Sequence, residues 1–243
     1  MSTVKKRNWW AIFRSELIHH FPYGTLSVAC AIMLLGLINV FFNGGVSECV
    51  GAAHHVHDHA HAHAHSHSSG MDVLFHTFHF IHIIYAASGA MLMYYRYAEK
   101  NFVKGVMIGV LSSFGFCTLS DILLPYAAGM MLGVEMDLHI CFYSELWNII
   151  PFLVVGILNG IAMAKVYEHD KESTSLKLHF FHTFISAMAS IFYAVGHGLV
   201  DYHEHLGSFF FLMLIAVVLP CTLSDVAAPL FFARVLQDEK SCH

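Results

Sequence analysis

Three short motifs carrying ionisable side chains occur twice in this chain. Ser15-Glu16-Leu17 with Pro22 returns as Ser144-Glu145-Leu146 with Pro151, and Phe75-His76-Thr77-Phe78 returns unchanged as Phe181-His182-Thr183-Phe184. Cys117-Thr118-Leu119-Ser120-Asp121, with Pro125, returns as Cys221 through Asp225 with Pro229. The matches keep their order, at offsets of 129, 106 and 104 residues, which points to an internal duplication. Each copy supplies one Glu, one His and one Asp, the mixture of imidazole and carboxylate that divalent transition metals accept. An ionisable residue inside an apolar span is costly, and it is by default a functional residue. Duplicated Asp and Ser also serve as hydrogen-bonding glue between membrane helices, and Glu or His near a helix end can simply reach water. Both bland readings stay open here.

Depth along the helices, at 1.5 Å per residue, sorts the duplicated residues into two expected metal clusters. His76, Asp121 and Glu145 fall toward the outer face, and His182, Asp225 and Glu16 toward the inner one. Each cluster takes His and Asp from one copy and Glu from the other. Ser120 and Ser224 are expected to hydrogen-bond the ligands from behind. Pro125 lacks an N–H and obstructs the carbonyl of Asp121, four residues earlier, so the helix is expected to break locally at Asp121 and again at Asp225.

Other histidines crowd the outer side. His76, His79 and His82 share one side of a helix, and His197, Asp201 and His205 recur every four residues, with His203, Glu204 and His139 nearby. His79, His82, His197, Asp201, His203 and His205 are expected to form an outer metal entrance. His19 and His20 are a smaller inner counterpart. Residues 54–67 hold 8 His and 1 Asp in 14 positions: His54, His55, His57, His59, His61, His63, His65 and His67 with Asp58. Such a tract cannot bury a core and binds borderline cations without fixed geometry, so it reads as a metal reservoir, or as a tolerated repeat expansion. In composition it resembles the His-rich loops beside the pathways of zinc carriers.

Composition sets the elements that must position these groups. Of 243 residues, 57% are hydrophobic and 12% charged, with mean hydropathy +0.60. Soluble domains carry about 25% charged residues, so a water-soluble enzyme is excluded and an all-α polytopic membrane protein is predicted. Six stretches reach the roughly 20 apolar residues a bilayer needs: 22–43, 73–95, 104–131, 142–165, 178–200 and 206–234. All 12 Lys and Arg fall before the first stretch, after the sixth, or in the 96–104 and 165–177 connections. That places both termini in the cytoplasm and the His-rich loop 44–72 outside, in a plasma or inner membrane. Three spans per copy is an odd number, so residues 1–131 and 132–243 are predicted as inverted repeats, the architecture of secondary transporters. Cys49 and Cys141 map to one side, where a disulfide and two unrelated thiols are both open.

These features together predict a secondary transporter of a divalent transition metal, working in the uptake direction by alternating access between the repeats. Zinc is the first expectation, and Fe, Mn, Co and Ni suit the same ligands. No phosphate-cradling Gly-rich Lys loop provides an ATPase unit, and nothing points to nucleic acid. The expected partners are the metal ion and the lipid bilayer; association with further copies of the chain is left open. The alternatives are a membrane-embedded metal-dependent enzyme, a hydrolase or di-iron oxidase, and a metal-sensing accessory membrane protein.

Overall fold

A computed structural model describes the backbone of residues 9–43, 60–97, 101–166, 173–229 and 231–232. His54, His55, His57, His59 and Cys49 lie outside the described residues. So do the side chains of Glu16, His19, His61, His63, His65 and His67. The regular elements are all helical: α1 Trp9–Asn43, α2 Ala60–Tyr97, α3 Phe102–Thr118, α4 Leu124–Met131, α5 Cys141–Ser144, α6 Leu146–Val166, α7 Ser173–Gly196 and α8 Leu206–Thr222. A π turn over Leu119–Leu123 joins α3 to α4, and a second over Leu223–Ala227 follows α8. Helix α2 begins inside the His tract, whose second half therefore follows a helical backbone rather than the loop expected from composition.

Among the described residues, five helical stretches are long and apolar enough to cross a membrane: His20–Phe41, Gly70–Tyr95, Phe102–Met131, Leu146–Val166 and Tyr202–Asp225. Helix α7 is not among them; its buried side chains include His179, His182, Thr183, Ser186 and Ser190. It is nevertheless a central helix, with every residue from Ser186 to Val195 buried. The bundle encloses a polar cluster within an apolar core and is apolar outside. Asp121, His82 and Ser113 are fully enclosed, whereas Phe41 and Trp147 are 78% and 84% exposed. Apolar surface of this kind is at home against lipid chains and costly in water.

Helices α2 and α7 pack along each other and run antiparallel, because Phe75 faces Tyr193, Phe78 faces Phe192 and His82 faces His182. Helix α6 packs on α2, while α1 packs on α7. Each copy of the duplicated segment thus leans its first helix on the second helix of the other copy. Small residues allow one of these contacts. A Cβ on Gly160 would lie 2.6 Å from Met91 Cβ, and one on Gly156 would lie 2.8 Å from Ile84 O. The two glycines, one turn apart, let α6 lie against the α2 backbone in the small-residue manner of membrane helices. Ser88 Oγ then donates to Gly156 O at 2.9 Å, and Asn159 Nδ2 donates to Ser88 Oγ at 3.1 Å.

The end of α7 differs from the sequence expectation. The helix stops at Gly196, and Gly198 has φ +143, a conformation closed to other residues; a Cβ there would also lie 2.5 Å from Glu135 O. His197, Asp201 and His205 therefore do not line one helical face, since residues 202–205 form a separate 3₁₀ turn.

Gly160→Leu is expected to wedge α6 away from α2 and to cost about 1–3 kcal/mol, the usual penalty of overpacking. Denaturation in detergent micelles measures it, and an unchanged midpoint would contradict the close α2–α6 seam.

Candidate metal centre

Each buried carboxylate is held by two imidazoles one helical turn apart. On α2, His79 and His82 are three residues apart, so both face the π turn that carries Asp121. Their Nδ1 atoms lie 2.9 and 2.7 Å from Asp121 Oδ2. On α7, His179 and His182 repeat the arrangement, with Nδ1 atoms 2.8 and 2.6 Å from Asp225 Oδ2. An ionised carboxylate only accepts, so each ring donates from Nδ1 and presents its Nε2 as the remaining nitrogen. Carboxylates orient metal-ligating histidines in this way, fixing the tautomer and aiming the free nitrogen.

The two halves touch. His82 Nε2 lies 2.7 Å from His182 Nε2, and Cys221 Sγ lies 3.9 Å from His82 Nε2. Two neutral rings already donating from Nδ1 would meet lone pair to lone pair. A cation ligated by both nitrogens would relieve that contact. Two nitrogens on one tetrahedral zinc sit about 3.3 Å apart, given Zn–N bonds of about 2.0–2.1 Å. A metal therefore enters only if the rings part by roughly half an ångström. His82, His182 and Cys221 form one buried group of donor atoms close enough to share an ion, and His179, His182 and Asp225 form another.

The π turns explain how Asp reaches these imidazoles. Pro125 has no N–H to give Asp121 O, and Leu124 N–H bonds to Leu119 O, five residues back, instead of to Ser120 O. The break expected from the prolines takes the form of a widened turn. Ser120, Asp121 and Ile122 are all buried as a result, three consecutive residues that a regular helix would spread around its circumference. The freed Ser120 carbonyl accepts from Ser190 Oγ on α7 at 3.0 Å. In the second π turn Ala228 N–H bonds to Leu223 O in the same register. Single π turns of this kind cluster at functional sites.

The halves differ in detail. Asp121 Oδ1 accepts from Ser120 Oγ at 2.7 Å and Ser186 Oγ at 3.1 Å, and its side chain has no exposed area. Asp225 Oδ1 has no partner among the described residues, nor has Ser224 Oγ, and the Asp225 side chain is 11% exposed. The carboxylate rests on Gly89, where a Cβ would approach Oδ1 to 2.9 Å. Burying a carboxylate without neutralising it is expensive, so two of them with four imidazoles make a centre that attracts cations.

The sequence-derived residues divide as follows. Asp121, His182, Asp225 and Ser120 belong to this centre. His79 and His82, expected at an entrance, lie inside it. His76 is instead beside Asp72 and His139, away from Asp121. Glu145 is half-buried and accepts from the Asn148 side chain. His197 stacks on Tyr193, and Asp201, His203 and His205 are exposed. The expected outer and inner clusters are not separate, because the His82–His182 contact joins them. Sequence reading missed His179, and it missed His79 and His82 as central residues, since the identical Phe-His-Thr-Phe match is six residues out of register with the working repeat. His-Phe-x-His at 79–82 and 179–182, offset by 100 residues against 104 for the Asp residues that follow, is the signal that would have found them. Cys221, in the repeated Cys-Thr-Leu-Ser-Asp motif, is the thiol donor of the group with His82 and His182.

Asp121→Asn and Asp225→Asn are each expected to weaken zinc binding about 10–100-fold by releasing the imidazoles they orient. Calorimetric titration of the detergent-solubilised protein measures this, and unaltered affinity in both variants would exclude these carboxylates from the centre.

No family model, curated protein or solved structure matches this chain. The duplicated His–Asp geometry in a helical, membrane-compatible bundle is what bears on its function.

Proposed function

We propose that the chain is a secondary transporter of a divalent transition metal, zinc first, that crosses the membrane six times as two inverted repeats with both termini in the cytoplasm. One observation carries this reading: the two His–Asp pairs meet at His82–His182, so ligating groups run without interruption from the first copy into the second. The antiparallel run of α2 and α7, and the exchange of first helices between copies, support inversion. Helix α7, the fifth in chain order, completes the six spans, since His179, His182, Thr183, Ser186 and Ser190 are buried within the bundle.

Alternating access needs a centre that can be reached from one side at a time. The asymmetry between the halves suits this. Asp121 has no exposed area and its partner His79 is covered by Phe75, while Asp225 retains some exposure and its partner His179 meets His20. Rocking of one repeat against the other would part His82 from His182 and expose the carboxylates in turn. Mixed imidazole, carboxylate and thiol donors favour zinc among abundant divalent ions and also accept Fe, Mn, Co and Ni. The His tract at the start of α2 would supply metal to the pathway from outside, in keeping with uptake.

A membrane-embedded metalloenzyme is the second reading, favoured by the convergence of imidazoles from both copies on a single buried centre. Zinc flux into proteoliposomes separates the two. The parent chain is expected to carry zinc, and Asp121→Ala and Asp225→Ala are each expected to reduce flux at least about tenfold, in line with the loss of ligand-orienting carboxylates. Flux indifferent to both substitutions would remove the proposed pathway, whereas tight stoichiometric binding without flux would favour the enzyme.

A further inference from the structure

A second group of donors lies one turn before the buried centre on α2, where the 132–145 segment and the end of α7 converge. Donor atoms of His76, His139 and Cys141 all lie within 4.8 Å of one another. His76 Nδ1 donates to Asp72 O at 2.8 Å, which leaves Nε2 with its lone pair, and that atom is buried without a hydrogen-bond partner among the described residues. Ligating histidines are held in this manner, one ring nitrogen donating to a carbonyl while the other faces the ion. The partners are fixed too. His139 N–H donates to Tyr193 Oη at 3.1 Å, and the hydroxyl donates on to Asp137 O at 3.3 Å. The His139 ring stacks on His197, whose Nδ1 donates to Tyr193 O at 3.0 Å. Cys141 opens α5 and is buried. Asp72, at the rim, is 46% exposed, so an ion has a short approach from the surface.

The group is distinct from the buried centre because Phe75 stands between them. Its ring, fully buried, lies 4.9 Å from His76 and 5.8 Å from His197 on one side, and stacks on His79 at 5.4 Å on the other. We propose that His76, His139 and Cys141 bind a divalent transition metal in a site of their own, near the surface and partitioned from the buried centre by Phe75. Two imidazoles and a thiolate suit zinc or cobalt and leave one tetrahedral position for water. Burial, with the Asp72 and Glu145 carboxylates, pushes the Cys141 thiol up to about 12; a bound cation is what would hold it as thiolate. As a loading position the site rests on the transport reading; as a binding site it does not.

Cobalt titration of the full chain in detergent, reduced with a phosphine, tests the site. In a Cys117→Ser/Cys221→Ser background, which removes the thiol of the buried centre, a thiolate-to-cobalt charge-transfer absorption is expected, and it is lost when Cys141→Ser is added. His139→Gln leaves the thiol and α5 in place and is expected to weaken cobalt binding at least about tenfold. No absorption in the Cys117→Ser/Cys221→Ser background, an absorption there that survives Cys141→Ser, or an affinity in that background unmoved by His139→Gln would overturn the proposal. Zinc flux that fails while the absorption persists would sink the transport reading and leave this site standing.

Discussion

The contact between His82 and His182 is the constraint around which the bundle is organised. It is the point at which the two copies meet through equivalent residues, each ring tied from behind to its own carboxylate. Ionised groups at this depth are tolerable only when they are paired and enclosed. The four imidazoles supply the pairing, and the central helices α2 and α7 supply the enclosure. Ser120 and Ser186 complete the hydrogen bonding of Asp121, and Gly89 leaves room for Asp225.

Helix geometry had to be altered to bring carboxylate and imidazole together. A regular helix through Leu119–Leu123 would keep its carbonyls for itself and turn Ser120, Asp121 and Ile122 toward different neighbours. The prolines remove the donor that a regular turn would use, and the widened turn that results offers a carbonyl to Ser190 as well as a carboxylate to His79 and His82. The bond from Ser190 ties the π turn to α7, so the unusual backbone and the interhelical contact stabilise each other. Small residues do the corresponding work between α2 and α6, where Gly156 and Gly160 let backbones approach and Ser88 and Asn159 close the seam with hydrogen bonds. A helix that moved at this seam would carry its neighbours with it, which is the mechanical property a two-state transporter needs.

The same helix, α2, carries two kinds of donor group along its length. His76 faces a thiol and loop residues near the surface; His79 and His82 face a carboxylate in the interior. Phe75 separates them by filling the space between with an aromatic ring. Two donor groups separated by one side chain give an ion a place to pause outside the fully enclosed centre.

Composition alone determined that this chain is helical and suited to a membrane: too few charges to coat a soluble globule, and apolar stretches long enough to cross. The repeated Cys-Thr-Leu-Ser-Asp and its proline determined that Asp121 and Asp225 are equivalent and that their helices depart from regular geometry. Linear spacing could not determine which imidazoles those carboxylates hold. The identical Phe-His-Thr-Phe segments suggested His76, yet helix α2 turns His76 toward the loop and His79 and His82 toward Asp121, a choice made by the rotation of the helix against its neighbours. Depth arithmetic likewise placed the carboxylates in opposite halves, while the reach of two imidazole rings brought the halves into contact. Residue type and order settle what each side chain can do chemically. Which of them meet is decided by helix rotation and by distances shorter than a helical turn, and those exist only once the helices have packed.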